Sequence, residues 1–134
     1  MKKSTIKLFH FSILLAGLVF ATVSCKKDEK TPDRDKFLGT YSVVQDCSGQ
    51  TNTYDMTIAA SATSENEVTI QNLYALGKTL TATVSGDNLT ISSQVVSNVT
   101  YSGSGPISGD VLTLDFTIGN GAASVTCTAV CTKK

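Results

Sequence analysis

Val111-Leu112-Thr113-Leu114-Asp115-Phe116-Thr117-Ile118 is the stretch that decides the fold class. Leu112, Leu114, Phe116 and Ile118 alternate with Thr113, Asp115 and Thr117, and residues that alternate with a period of two stand on opposite faces of a β-strand. One face is made to be buried and the other to be wet. The pattern recurs along the chain, and beyond Phe37 no window of ten or more residues has the 3.6-residue spacing of an amphipathic helix. The chain is therefore predicted to be all-β, with strands at 38–47, 53–61, 67–74, 78–85, 88–96, 98–103, 109–118 and 123–131. Between them lie Ser48-Gly49-Gln50, Ser64-Glu65-Asn66, Leu76-Gly77, Gly86-Asp87, Ser97-Asn98, Gly105-Pro106 and Gly119-Asn120-Gly121. These are turn-forming residues, and such short links make hairpins.

Short links also restrict topology. A Greek key needs a long connection to carry one strand back across the sheet, and none is visible, so an eight-stranded antiparallel up-and-down meander is expected. Its two exposed edges disappear if the first strand pairs with the last, which predicts closure into a small barrel. The apolar parity then assigns to the interior Tyr41, Val43, Tyr54, Met56, Ile58, Val68, Ile70, Leu80, Val84, Leu89, Ile91, Val99, Tyr101, Leu112, Leu114, Phe116, Ile118, Val125 and Ala129. Thr57, Thr69, Thr79, Thr81, Thr83, Thr90 and Thr126 fall on the opposite face, where threonine favours the strand and keeps the surface wet. A transmembrane barrel would need the reverse arrangement, apolar toward lipid and polar inside.

The chain begins with a basic stretch, Met1 to Lys7, and an apolar run, Leu8 to Val23, that ends at Ser24-Cys25-Lys26-Lys27. This is the layout of a secretory signal, and the run is shorter than the about 20 apolar residues of a membrane span. Residues 1–24 are read as a cleaved leader. Its removal takes Lys2, Lys3, Lys7 and the single histidine, His10, lowering Lys+Arg from 11 to 8 against 11 Asp+Glu, a net charge of about −3. A nucleic-acid partner is not expected of a chain without a basic footprint. Lys26 to Lys36, KKDEKTPDRDK, is too charged to bury apolar surface and is expected to form an extended tether over residues 25–36, leaving residues 37–134 as the barrel domain.

Thr22-Val23-Ser24-Cys25 resembles a bacterial lipoprotein processing site, which implies that Cys25 is acylated and becomes the mature N-terminus. The implied membrane partner is reached through acyl chains alone, since two or more chains hold a protein stably where one does not. Lys27-Asp28-Glu29 resembles the surface-export signal of Bacteroidota lipoproteins and implies an outer-membrane, cell-surface location. Phe37-Leu38-Gly39-Thr40-Tyr41, Gly86-Asp87-Asn88-Leu89-Thr90-Ile91 and Ile107-Ser108-Gly109-Asp110-Val111-Leu112-Thr113-Leu114, taken with the Cys25 junction, are similar to the small lipocalin-like lipoproteins of that phylum. The resemblance implies a lipocalin-like barrel. It does not carry over a lipocalin ligand site: Tyr41 stands where lipocalins usually have Trp, no Arg follows Arg34, and too few residues remain for their C-terminal helix.

With Cys25 acylated, Cys47, Cys127 and Cys131 remain, and an extracytoplasmic compartment permits disulfides. In a closed meander the end of the first strand lies beside the start of the last, which pairs Cys47 with Cys127 and leaves Cys131 over. Cys127 and Cys131, four residues apart in one strand, are about 13 Å apart and do not bridge. Three thiols without histidine do not make a zinc site, and no cofactor is expected. Glu65 and Glu67 flank a turn and are read as solvated carboxylates, not a glycosidase pair. Without histidine or convergent acids the expected protein is not an enzyme. Two roles remain: binding a small apolar ligand in or at the mouth of the barrel, facing Tyr41, Tyr54, Met56, Tyr101 and Phe116, or a surface interaction module with a filled core that contacts a protein or glycan. An interior cavity distinguishes them.

Overall fold

The computed structural model describes residues 30–134; the leader, Cys25 and Lys27-Asp28-Glu29 lie outside the described residues. A 3-10 turn, Asp33–Phe37, leads into strands β1 (Gly39–Cys47), β2 (Gln50–Ala60), β3 (Glu67–Gln71), β4 (Thr79–Ser85), β5 (Asn88–Val96), β6 (Val99–Ser108), β7 (Val111–Gly119) and β8 (Ser124–Lys133). A second 3-10 turn, Leu73–Ala75, lies between β3 and β4. Each strand pairs antiparallel with the next and β1 pairs with β8, so the sheet closes into an eight-stranded up-and-down barrel. The expected meander and its closure are both observed.

Register follows the apolar parity. Tyr41 stands opposite Met56 of β2, Val43 stands opposite Tyr54 of β2 and Cys131 of β8, and both Tyr41 and Val43 point inward. The β1–β2 and β5–β6 hairpins turn through Ser48-Gly49 and Ser97-Asn98, whose φ angles are all positive, matching two-residue turns that follow the twist of the flanking strands.

Beyond shifts of two or three residues at strand ends, such as β2 beginning at Gln50 and β8 running to Lys133, the structure departs from the sequence reading in three places. Gly105-Pro106 is not a turn but lies within β6, which runs on to Ser108. The reason is that positions 103 and 105, which take the inward parity, are glycines. A Cβ at Gly105 would meet the Thr113 carbonyl oxygen at 1.7 Å and one at Gly103 would meet Phe116 Cβ at 2.5 Å. Glycine there lets β6 press against β7 at a barrel corner, and the missing side chains interrupt the pattern that marks a strand. The third strand ends at Gln71, not Tyr74, because Asn72 enters the left-handed region at φ 72°. Finally, the charged tether does not stay extended to Lys36. Asp33–Phe37 folds onto the barrel and places Phe37, fully buried, across its open end.

Candidate functional site

The two ends of the barrel are built from different residues. The end nearest the chain's start carries the Asp33–Phe37 turn, residues 61–66, Gly86-Asp87, Gly109-Asp110 and the C-terminus; the far end carries Ser48-Gly49, residues 72–78, Ser97-Asn98 and residues 120–123. The first is charged and clamped. Arg34 donates from Nη1 to the carbonyl oxygens of Ser61 (3.0 Å), Ser64 and Glu67 (3.4 Å); the Gly86 N–H donates to Asp33 Oδ2 at 3.2 Å, and Lys36 pairs with Asp87. Tyr41 Oη donates to the Phe37 carbonyl at 2.7 Å, and Lys133 Nζ to the Lys36 carbonyl at 2.8 Å. In the far-end loops Lys78 is the one charged residue.

The interior is full. Tyr41, Val43, Met56, Val68, Ile70, Leu89, Leu112, Leu114, Ala129 and Cys131 are 0% exposed, so none faces solvent or a void that admits a water-sized sphere. Of the five positions expected to face an interior ligand, Tyr41, Met56, Tyr101 and Phe116 are buried in this core; Tyr54 is half-buried toward the far end. The barrel is narrow enough that large side chains from opposite walls meet on its axis. Sequence reasoning missed Phe37, Leu73 and Ile107, which add to that filling, and the buried Gln45. Gln45 lies on the inward parity of β1 with Tyr41, Val43 and Cys47, and only its polar side chain sets it apart from the apolar positions of that face.

A polar chain runs through the top of the core. The Tyr74 N–H donates to Tyr54 Oη at 3.0 Å, and Tyr54 Oη donates to Gln45 Oε1 at 2.8 Å. Burial raises the Tyr54 and Tyr41 hydroxyls to about 12 each, so both stay protonated donors at any physiological pH. Above them the 72–78 loop holds three non-glycine residues at positive φ: Asn72 (72°), Tyr74 (63°) and Ala75 (56°). Such conformations cost about 1–3 kcal/mol each and persist only where neighbours impose them. Asn72 is the fastener, donating from Nδ2 to the Asp55 carbonyl and accepting from the Gly77 N–H through Oδ1, both at 2.8 Å. Tyr74 is thereby held edge-on to Phe116, ring centroids 6.4 Å apart, where it lines a mouth cleft of about 320 Å³ with Val99, Ile118, Ala123 and Val125. That cleft is outside the filled interior.

Cys47 and Cys127 stand opposite one another across β1 and β8 and form a disulfide, S–S 2.01 Å and Cα–Cα 4.3 Å, as expected from closure. Cys131 is a buried free thiol facing Val43, and burial pushes it up to about 12, which keeps it protonated and unreactive while the barrel is folded. Glu67 Oε1 accepts from Ser61 Oγ (2.6 Å) and Thr63 Oγ1 (2.8 Å), which lowers its carboxyl below the ordinary value; Glu65 is exposed in the same loop. Among the described residues no three His, Cys, Asp or Glu side chains gather where they would hold a metal.

No protein-family model matches the chain, and no curated protein matches it. Among solved structures it is similar to a redesigned β-barrel, 16% identical, with a TM-score of 0.56 over 78% of this chain and 97% of that one. The likeness is one of fold.

Proposed function

We propose that the protein is a non-enzymatic, lipid-anchored lipoprotein of the outer membrane, exposed at the cell surface, whose lipocalin-like barrel is a filled scaffold for contact with a protein or glycan. The observation that carries this reading over storage of a ligand inside is the filled axis, where Tyr41, Met56, Leu112 and Leu114 are 0% exposed. A side chain packed at crystal-like density leaves no room for a guest. Two further features support it. The Cys47–Cys127 disulfide suits an oxidising compartment outside the cytoplasm. The charged end of the barrel is the one that continues into the tether, so an anchor at Cys25 would leave the nearly uncharged far end directed away from the membrane.

A second reading, a small apolar ligand at the mouth, is favoured by the cleft beneath Tyr74, whose volume of about 320 Å³ lies at the lower limit of small-molecule sites. One preparation tests both. The full chain is expected to incorporate radiolabelled palmitate, to fractionate with the outer membrane and to be shaved from intact cells by added protease; Cys25→Ala is expected to lose all three. Palmitate incorporation that survives Cys25→Ala, or a barrel protected from protease in intact cells, overturns the anchored surface reading. A stoichiometric apolar molecule found by native mass spectrometry on the purified protein selects the mouth over the scaffold role.

A further inference from the structure

The wall of the barrel is not equally continuous all the way round. β4 and β5 pair only through Ser85 opposite Asn88, Val84 opposite Leu89 and Thr83 opposite Thr90, next to their Gly86-Asp87 turn. Beyond Thr83 the ladder stops. On β5 the register against β6 shifts between Ile91 and Gln94, so Ser92 and Ser93 form a bulge that carries the strand away from β4. The gap is spanned by a side chain: the Thr81 N–H donates to Gln94 Oε1 at 3.0 Å, and Gln94 Nε2 donates to the Thr81 carbonyl at 2.7 Å. Outside it lies a cleft of about 300 Å³ lined by Glu67, Thr81, Thr83, Thr90, Ser92 and Ser93.

We infer that the β4 edge at Thr79–Thr83 is a strand-addition site, closed in the free protein by the Gln94 amide and opened to an extended polypeptide segment that pairs with the Thr81 backbone. The chemistry of the latch identifies the occupant. A primary amide offers a carbonyl and two N–H donors; Gln94 directs the carbonyl and an N–H to Thr81 as the peptide groups of a neighbouring strand would, and also donates to the Ser92 carbonyl at 3.2 Å. In an antiparallel strand alternate residues direct both backbone groups to the same neighbour, so Thr79 faces the gap with Thr81. The lining is hydroxylic and has no deep apolar pocket, so main-chain pairing is the main source of affinity, as in other additions to a sheet edge. Glu67, held anionic by Ser61 and Thr63, favours a segment with Lys or Arg where it crosses that residue. This names a partner chemistry for the interaction role proposed above and rests on it.

The test uses the full chain in detergent, its Gln94→Ala variant, and a fluorescent synthetic peptide copying β5, residues 88–96, with Gln94→Lys in the peptide to supply the cation for Glu67, with and without N-methylation of alternate amides. Anisotropy is expected to show the unmethylated peptide binding about tenfold more tightly to Gln94→Ala, which no longer competes for the Thr81 groups, than to the parent chain. Hydrogen exchange is expected to show new protection at the Thr79 and Thr81 amides when the peptide binds, and the methylated peptide is expected not to bind. Equal binding of methylated and unmethylated peptides, protection elsewhere on the barrel, or no binding to a Gln94→Ala chain that retains the parent's circular dichroism overturns the inference. These outcomes do not depend on Cys25, so they fail separately from surface delivery.

Discussion

The β1–β8 seam and the β4–β5 seam close the same barrel by opposite means. β1 and β8 lie at the two ends of the domain, yet they pair continuously from Tyr41 opposite Lys133 to Cys47 opposite Cys127 and are then covalently joined. β4 and β5 are joined by a two-residue turn, yet their ladder stops at Thr83 and passes to one glutamine side chain. Chain proximity therefore does not rank the seams. A tight hairpin forms at small entropic cost and tolerates a thin ladder, whereas joining the chain ends closes a loop some 80 residues long and needs reinforcement. The disulfide removes much of that closure entropy from the unfolded chain.

The sharpest way to break the contrast is to remove the bridge. Cys47→Ala with Cys127→Ala is expected to lose about 4 kcal/mol, lowering Tm by about 20 °C in a calorimetric scan, and to make Cys131 available to iodoacetamide at pH 8. A loss below about 1 kcal/mol would show that the β1–β8 ladder closes the barrel unaided. Phe37→Ala tests whether the charged end is held by its plug or by its ion pairs. Urea denaturation is expected to show a loss of about 3 kcal/mol for Phe37→Ala, while Lys36→Ala, at a solvent-exposed pair, is expected to move the midpoint far less.

At the thinner seam Gln94→Ala is expected to cost about 1 kcal/mol globally, since its bonds to Thr81 and Ser92 are exposed to water, while the Thr81 amide exchanges at least tenfold faster and the Val43 amide is unchanged. Equal acceleration at both would abolish the distinction between the seams. The smallest effect belongs to Glu67. Its folded-state carboxyl lies below the ordinary 4.5 because Ser61 and Thr63 donate to the anion, so the stability it contributes is present above pH 4.5 and is lost as pH falls through the folded value. Tm measured from pH 6 down to 3 is expected to fall less steeply in Glu67→Gln than in the parent chain.

Much of this was legible before any coordinates. The alternation of Leu112, Leu114, Phe116 and Ile118 is a local property, imposed by the two-residue period of the strand, and it predicts burial correctly at all four. Short Gly-Asp and Ser-Asn links imposed the meander, and the meander's ends brought Cys47 to Cys127. The candidate ligand-facing set was less legible, because parity says which way Tyr41 and Phe116 point and nothing about what meets them there. Ile107 was hidden behind Gly103, Gly105 and Pro106, where a strand shows no apolar alternation. Phe37 was hidden at the end of a charged run whose composition argues for solvation, although Arg34 finds carbonyl partners some thirty residues away.

The sequence by itself determined the class of the barrel domain: an all-β chain with its inward faces, hairpin order and cysteine partners set by periodicity and link length. The tertiary structure alone decided that the axis is filled, that Tyr74 is held at positive φ over the mouth, and that Gln94 completes the wall where β5 bulges away from β4. The physical reason is range. Periodicity and turns act over a few residues, whereas filling, closure and latching depend on side chains brought together from strands far apart in the chain.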